Sequence, residues 1–190
     1  MNTTSLMIVG VGGQGALLAS KLLGRLLLAE GYDVKISEVH GMSQRGGSVV
    51  TYVRFGDKVY SPIVDKGEAD YIVSFEKIEA ARYLSNLKEG GCIVVNTQEI
   101  DPMPVIIGAA EYPTDVLEEV KNKGVNVDAI DALSLAAEAG SVKAVNIVLM
   151  GRLAKRFSIP YEKWVEAIKD TVAPKFVGMN LKAFEAGYNA

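Results

Sequence analysis

The chain has 190 residues, 49% hydrophobic and 23% charged, with a net charge of −3. That length fits one domain, residues 1–190, with a sizeable core, and the acidic balance excludes binding that rests on neutralising nucleic-acid phosphates. The single cysteine, Cys92, excludes an internal disulfide framework and an iron–sulfur cluster held by this chain's own thiolates.

Met1-Asn2-Thr3-Thr4-Ser5 places no basic segment ahead of a short apolar run that ends in glycines. This reads as neither a signal peptide nor a membrane span. No other stretch is long enough to cross a bilayer, so a cytoplasmic protein with no membrane partner is expected. Leu6 to Val9 reads as a buried strand. From Gln14 to Ala29, Leu18, Leu22, Leu26 and Ala29 recur at helical spacing, and Gly31 stops that helix. Asp33 to Val39 reads as a second strand, which makes a crossover unit with a parallel pair.

A polar, glycine-rich loop follows at Gly41–Gly47. Ser48 to Phe55 is β-rich, and a turn at Gly56-Asp57 leads to Lys58–Ser61, so a hairpin is predicted there. Asp70–Ser74 and Cys92–Asn96 read as further buried strands, with Cys92 a small core residue, and a helix near Glu76 to Leu87 separates them. Val105–Ile107 reads as a short strand. A helix opens at Pro113-Thr114, with Thr114 as N-cap, and runs to Lys123. Val125–Ile130 reads as a strand. Helices are predicted over Ala132–Ala139, Lys143–Phe157 and Tyr161–Thr171, with a last one from near Lys182.

The expected fold is α/β. It is a Rossmann-like, mostly parallel sheet with helices on both faces, a β-hairpin insertion and a helical C-terminal third that could dock onto another subunit.

Two motifs carry chemistry. Gly10-Val11-Gly12-Gly13-Gln14-Gly15 follows a strand and opens a helix, as a dinucleotide fingerprint does. In that reading Gly10 permits the tight turn, Gly12 leaves a ligand's approach clear, and Gly15 lets helix and sheet pack closely. The helix N-terminus offers N–H groups to an anion. The same glycines could equally serve only to make the turn compact. An NAD enzyme also needs an acid at the end of the second strand, and Glu38 is the nearest candidate; a solvated carboxylate is the simpler account.

The second motif is Gly41-Met42-Ser43-Gln44-Arg45-Gly46-Gly47, at the end of the second strand, where ligands bind open α/β sheets. Ser43, Gln44 and Arg45 supply a hydroxyl, an amide and a forked cation, and Gly41, Gly46 and Gly47 let backbone amides approach, a set suited to phosphate or carboxylate. His40, the only histidine, reads as a structural, hydrogen-bonded residue rather than a base or metal ligand. No complete catalytic apparatus is visible in the chain.

Three segments resemble one family. Met7–Gly15 is similar to the opening of the gamma-type domain of 2-oxoacid:ferredoxin oxidoreductases, Glu38–Val49 to its second signature, and Asn180–Tyr188 to its ending. Gly41-Met42-Ser43-Gln44-Arg45 most resembles the indolepyruvate branch. The resemblance implies a subunit that completes the active site of a larger alpha subunit carrying thiamine diphosphate and iron–sulfur clusters. It implies decarboxylation of an aryl pyruvate, transfer of electrons to ferredoxin, and coenzyme A as cosubstrate. The glycine loops are then the surface that meets substrate or coenzyme A, with Arg45 on an anionic group.

Two rivals stay open: a self-sufficient NAD(P)-dependent oxidoreductase using Glu38, and a non-catalytic nucleotide-binding module. Thermal stabilisation by NAD discriminates the first. The second would bind a ligand yet add nothing to a partner's turnover.

Overall fold

The computed structural model describes residues 3–12, 14–40 and 47–190. Six strands form one sheet: β1 (Thr3–Val11), β2 (Asp33–His40), β3 (Ser48–Gly56), β4 (Ala69–Ser74), β5 (Leu87–Asn96) and β6 (Asn126–Ile130). Their spatial order is β2-β3-β1-β4-β5-β6. β1, β4, β5 and β6 run parallel, and β3 runs antiparallel to both its neighbours. Leu6 to Val9 are fully buried, as expected of a central strand covered on both faces.

The predicted pairing of the first two strands is corrected. β3 lies between them, in register with β1 from Thr3↔Gly56 to Val11↔Ser48 and with β2 from Asp33↔Gly56 to His40↔Val49. Sequence pattern identifies strands but not neighbours. The short 41–47 connection returns the chain beside β2, and β3 then takes the edge of β1. The predicted hairpin partner at Lys58–Ser61 is also corrected, because residues 57–68 form no strand. Pro62 offers no N–H for a ladder. This irregular segment instead buries Val59 and Val64 and is pinned by bonds from Val59 N–H to Asp33 Oδ2 (2.9 Å) and from Arg54 Nη1 to the Ile63 carbonyl (2.8 Å).

Eight helices complete the described chain: α1 (Ala16–Ala29), α2 (Lys77–Arg82), α3 (Met103–Ile106), α4 (Val116–Asn122), α5 (Ala132–Ala139), α6 (Val145–Ala154), α7 (Tyr161–Thr171) and α8 (Val177–Asn189). α3 replaces the strand predicted at Val105–Ile107. Pro102 at its N-cap and Pro104 in its first turn suit a helix start and lack the N–H a strand would donate. α4 is capped at Asp115, not Thr114, and has no side-chain cap bond.

α1 and α5 to α8 cover one face of the sheet, and α2 and α4 cover the other. The C-terminal helices pack on the sheet and on one another. α6 is buried along its length except at Arg152, and α8 lies against it so closely that a Cβ on Gly187 would sit 1.9 Å from the Val148 carbonyl oxygen. Asp128 on β6 joins α6 to the sheet through Arg152 Nε (2.8 Å) and Arg156 Nη2 (2.6 Å). Burial opposes ionisation of Asp128, but the two guanidinium bonds outweigh it and hold its carboxyl below the usual range.

Candidate functional site

The parallel strands end at one edge, and the connections leaving that edge build the candidate site. β1 runs out through Gly10 and Val11. Gln14 then folds back over the turn: its Oε1 accepts the Val11 N–H (2.8 Å) and its Nε2 donates to the Phe75 carbonyl (3.3 Å). Gln14 is therefore a brace for the loop. The roles expected of two glycines are exchanged. Gly10 is the close-approach position, where a Cβ would lie 2.8 Å from Gln14 Oε1 and 2.9 Å from Phe75 Cβ. Gly15 makes the turn, at φ 90° in the left-handed region, and caps α1. Gly15 also meets α6 rather than the sheet: Asn146 Nδ2 donates to its carbonyl (3.2 Å).

The two glycine loops touch. Gly12 N–H donates to the Gly47 carbonyl at 2.9 Å. Gly13, Gly41, Met42, Ser43, Gln44, Arg45 and Gly46 lie outside the described residues. His40 closes β2 opposite Val49.

Two clefts flank the start of α1. One, of about 400 Å³, is bounded by the first glycine loop, Glu38, Val49 and Phe75. The other, of about 570 Å³, shares Gln14 and Gly15 and extends to Gln98, Leu133 and Lys143. Between them the Gly15 carbonyl takes the amides of Leu18 and Ala19. The Ala16 and Leu17 amides are left without an intrahelical acceptor. No acidic side chain stands in that first turn to offset the positive end of the helix.

Glu38 borders the first cleft, but β3 separates its strand from β1. It is thus displaced by about one interstrand spacing, ~4.8 Å, from where a dinucleotide's ribose acid stands.

Sequence reasoning missed the polar residues that lock the edge together. Asn96 is fully buried. Its Nδ2 donates to the Phe75 carbonyl (3.2 Å) and its Oδ1 accepts the Ala132 N–H (3.0 Å), so it ties the ends of β4, β5 and β6. Glu76, 1% exposed, caps α2 by accepting the Glu79 N–H (2.9 Å). Glu79 Oε2 takes the Ser48 hydroxyl at 2.5 Å, which anchors the exit of the second glycine loop. Tyr112 donates its hydroxyl to Glu76, and burial, then that bond, pushes its ionisation far up. The available signal was a polar residue closing each buried strand segment: Glu76 after Ile72-Val73-Ser74-Phe75, and Asn96 after Ile93–Val95. Cys92 is buried, and burial raises its thiol pKa, as a core cysteine requires.

Residues 5–190 match the family described as pyruvate ferredoxin/flavodoxin oxidoreductase. An indolepyruvate oxidoreductase subunit IorB of Thermococcus kodakarensis is 46% identical, with 100% of this chain and 96% of that one aligned. Among solved structures, the pyruvate oxidoreductase subunit PORC of Thermotoga maritima superposes with a TM-score of 0.76 at 22% identity, covering 100% of this chain and 97% of that one. The 2-oxoglutarate:ferredoxin oxidoreductase of Magnetococcus marinus, solved with 2-oxoglutarate, coenzyme A and succinyl-CoA bound, superposes with a TM-score of 0.75 at 21% identity. It covers all of this chain and 31% of that one, so there the same fold is one part of a longer polypeptide.

Proposed function

The chain belongs to the pyruvate ferredoxin/flavodoxin oxidoreductase family, and from that premise we propose that it is the cluster-free subunit of an indolepyruvate-type enzyme. In this reading a larger alpha subunit holds thiamine diphosphate and the iron–sulfur clusters. Cys92, the only thiol, is buried and cannot supply a cluster's ligand set. An aryl pyruvate loses carbon dioxide, its acyl carbon is oxidised by two electrons that leave through the clusters to ferredoxin, and the acyl group passes to the thiol of coenzyme A. Thiamine diphosphate, when bound on the partner, supplies the stabilisation of negative charge on that acyl carbon.

The role of this chain is binding and enclosure. The observation that carries it is the Gly12–Gly47 bond, which ties the exit of the second glycine loop to the first beside the amides of Ala16 and Leu17. Those amides and the helix dipole suit an anionic group of substrate or coenzyme A. In this reading Arg45, a forked cation in the second motif of the sequence, contacts that anionic group. The NAD(P) reading has weaker support, because its ribose acid would have to be Glu38, set back by the intervening β3.

The test is anaerobic reconstitution with the larger subunit, following aryl-pyruvate-dependent ferredoxin reduction. Arg45→Ala should raise KM for coenzyme A or for the oxoacid roughly tenfold; unchanged kinetics for both would remove Arg45 from the site. Oxidation of an aryl pyruvate by this chain with no companion would overturn the whole reading.

A further inference from the structure

The excursion from the end of β5 to α4 presents apolar side chains instead of burying them. α3 places Met103, Ile106 and Ile107 at i, i+3 and i+4, hence on one face. They are 65%, 64% and 69% exposed. Three large apolar side chains exposed together form a patch, and a contiguous apolar patch on a folded chain marks an interaction surface.

The ground beneath the patch is fixed. The buried Glu76 carboxylate accepts the Ile100 N–H (3.4 Å) where the excursion begins and the Tyr112 hydroxyl where it ends. One carboxylate thus closes both ends of a compact surface loop. An association made there carries little loop-ordering cost.

The stretch that carries the patch has charge of one sign, the neighbouring cations being Lys77 and Arg82 of α2. From Glu89 to Val120 the sequence has no Lys or Arg. Asp101, Glu111, Asp115, Glu118 and Glu119 are all exposed. Glu99 is the one acid of this stretch seen paired among the described residues, with Lys77 at 2.5 Å. The result is an apolar centre with an acidic rim.

We propose that the α3 patch is where the larger oxidoreductase subunit docks, through an apolar recess bordered by basic side chains. This rests on the function proposed above and assigns the surface by which the two chains meet. Two observations favour that occupant. Asp101 and Pro102 border the same small cavity as Val11 and Ser48, so the patch adjoins the glycine-loop edge that the partner has to cover. The acidic rim repels nucleic acid and anionic membrane, and a two-fold contact between copies would set the rim against itself.

Binding of the purified larger subunit, measured by calorimetry at low and high salt, tests the assignment. Ile106→Asp with Ile107→Asp should weaken association roughly tenfold or more, with the isolated chain's thermal unfolding unchanged. Met103→Asp alone should give a smaller loss in the same direction, which keeps the test intact if the double variant folds poorly. Glu118→Lys with Glu119→Lys should weaken binding at low salt and less so at high salt. Leu28→Asp, equally exposed but at the far end of α1, should leave affinity as it was. Patch variants that bind like the parent, a matching loss with Leu28→Asp, or parent dimers that the Asp substitutions abolish would each overturn the assignment. A parent chain that binds no larger subunit at all would overturn the proposed function along with it.

Discussion

The two faces of the sheet are held by different physics. On the face of α1 and α5 to α8, backbones meet directly: Gly151 and Gly187 bring α6 and α8 together, while Trp164 stacks on Phe184 and meets Phe157 edge to face. On the face of α2 and α4 the apolar cluster is smaller, and buried carboxylates do the joining. Glu76 reaches Ile100, Glu79 and Tyr112, and Glu79 reaches Ser48 and Arg82. The first face should therefore fail on changes of volume, and on changes of charge only at Asp128, which holds Arg152 and Arg156. The second should tolerate volume and fail on charge. The division suits a subunit, because the polar face also borders the second glycine loop and the α3 patch.

The largest effect is expected on the packed face. A Cβ at Gly187 would fall 1.9 Å from the Val148 carbonyl oxygen, and neither the Cβ, fixed by its own backbone, nor that backbone oxygen can rotate away. Gly187→Ala should force α6 and α8 apart and cost about 3 kcal/mol, a fall in Tm of roughly 6–12 °C for a chain of this size. Trp164, the only tryptophan, stacks on Phe184 at 5.9 Å, so its emission should shift in the folded variant. Gly178→Ala on the same helix meets nothing within 4 Å. It should stabilise by up to about 1 kcal/mol, because alanine is the better helix former. Equal effects from the two substitutions would break the comparison.

The next effect belongs to the polar face. Glu76→Gln keeps the shape but replaces one acceptor oxygen with an amide donor, so Ile100, Tyr112 or Glu79 loses its partner. A loss of about 1–3 kcal/mol is expected. The Ile100 amide should exchange faster, while Trp164 emission stays fixed until global unfolding. An emission change at low denaturant would mean that the faces are not separable.

Much of this division could be read in the sequence, and the unread part has a physical reason. Helices Ala132–Ala139 and Tyr161–Thr171 match α5 and α7 residue for residue. Their periodicity is local, and Asp131 and Pro160 mark where they begin. The position of β3 was not legible, since the partner of a strand is a tertiary choice that alternation does not encode. At the sheet edge, Gly12 meets Gly47 and Gln14 braces the turn through Val11 and Phe75. The exchanged roles of Gly10 and Gly15 depend on what packs above them, Phe75 and Asn146, from 60 or more positions away in the chain. Asn96, Glu76 and Glu79 escaped notice for the same reason, since a polar residue after an apolar run reads as a strand end until its partners are seen.

The smallest effect sharpens the comparison at the seam of the polar face, where irregular chain meets β2. Asp33 opens β2, with Lys35 Nζ at 2.5 Å from Oδ1 and with the Val59 N–H at 2.9 Å and Lys58 Nζ at 3.6 Å from Oδ2. The bond from Lys35, then that from Val59, lowers its pKa from 3.8 to about 2. A carboxylate depressed by folding stabilises the chain above its unfolded pKa, and that stabilisation disappears as pH falls through the folded value. The stability difference between the parent and Asp33→Asn should therefore be constant above about pH 4 and shrink between pH 4 and pH 2. Below that it should no longer change. Taking the difference cancels the titration of every other carboxylate, so its window belongs to Asp33. A difference that stayed flat across the window would show that the Asp33 carboxylate adds nothing to the hold on the 57–68 segment, leaving it to the burial of Val59 and Val64 and the Arg54 bond.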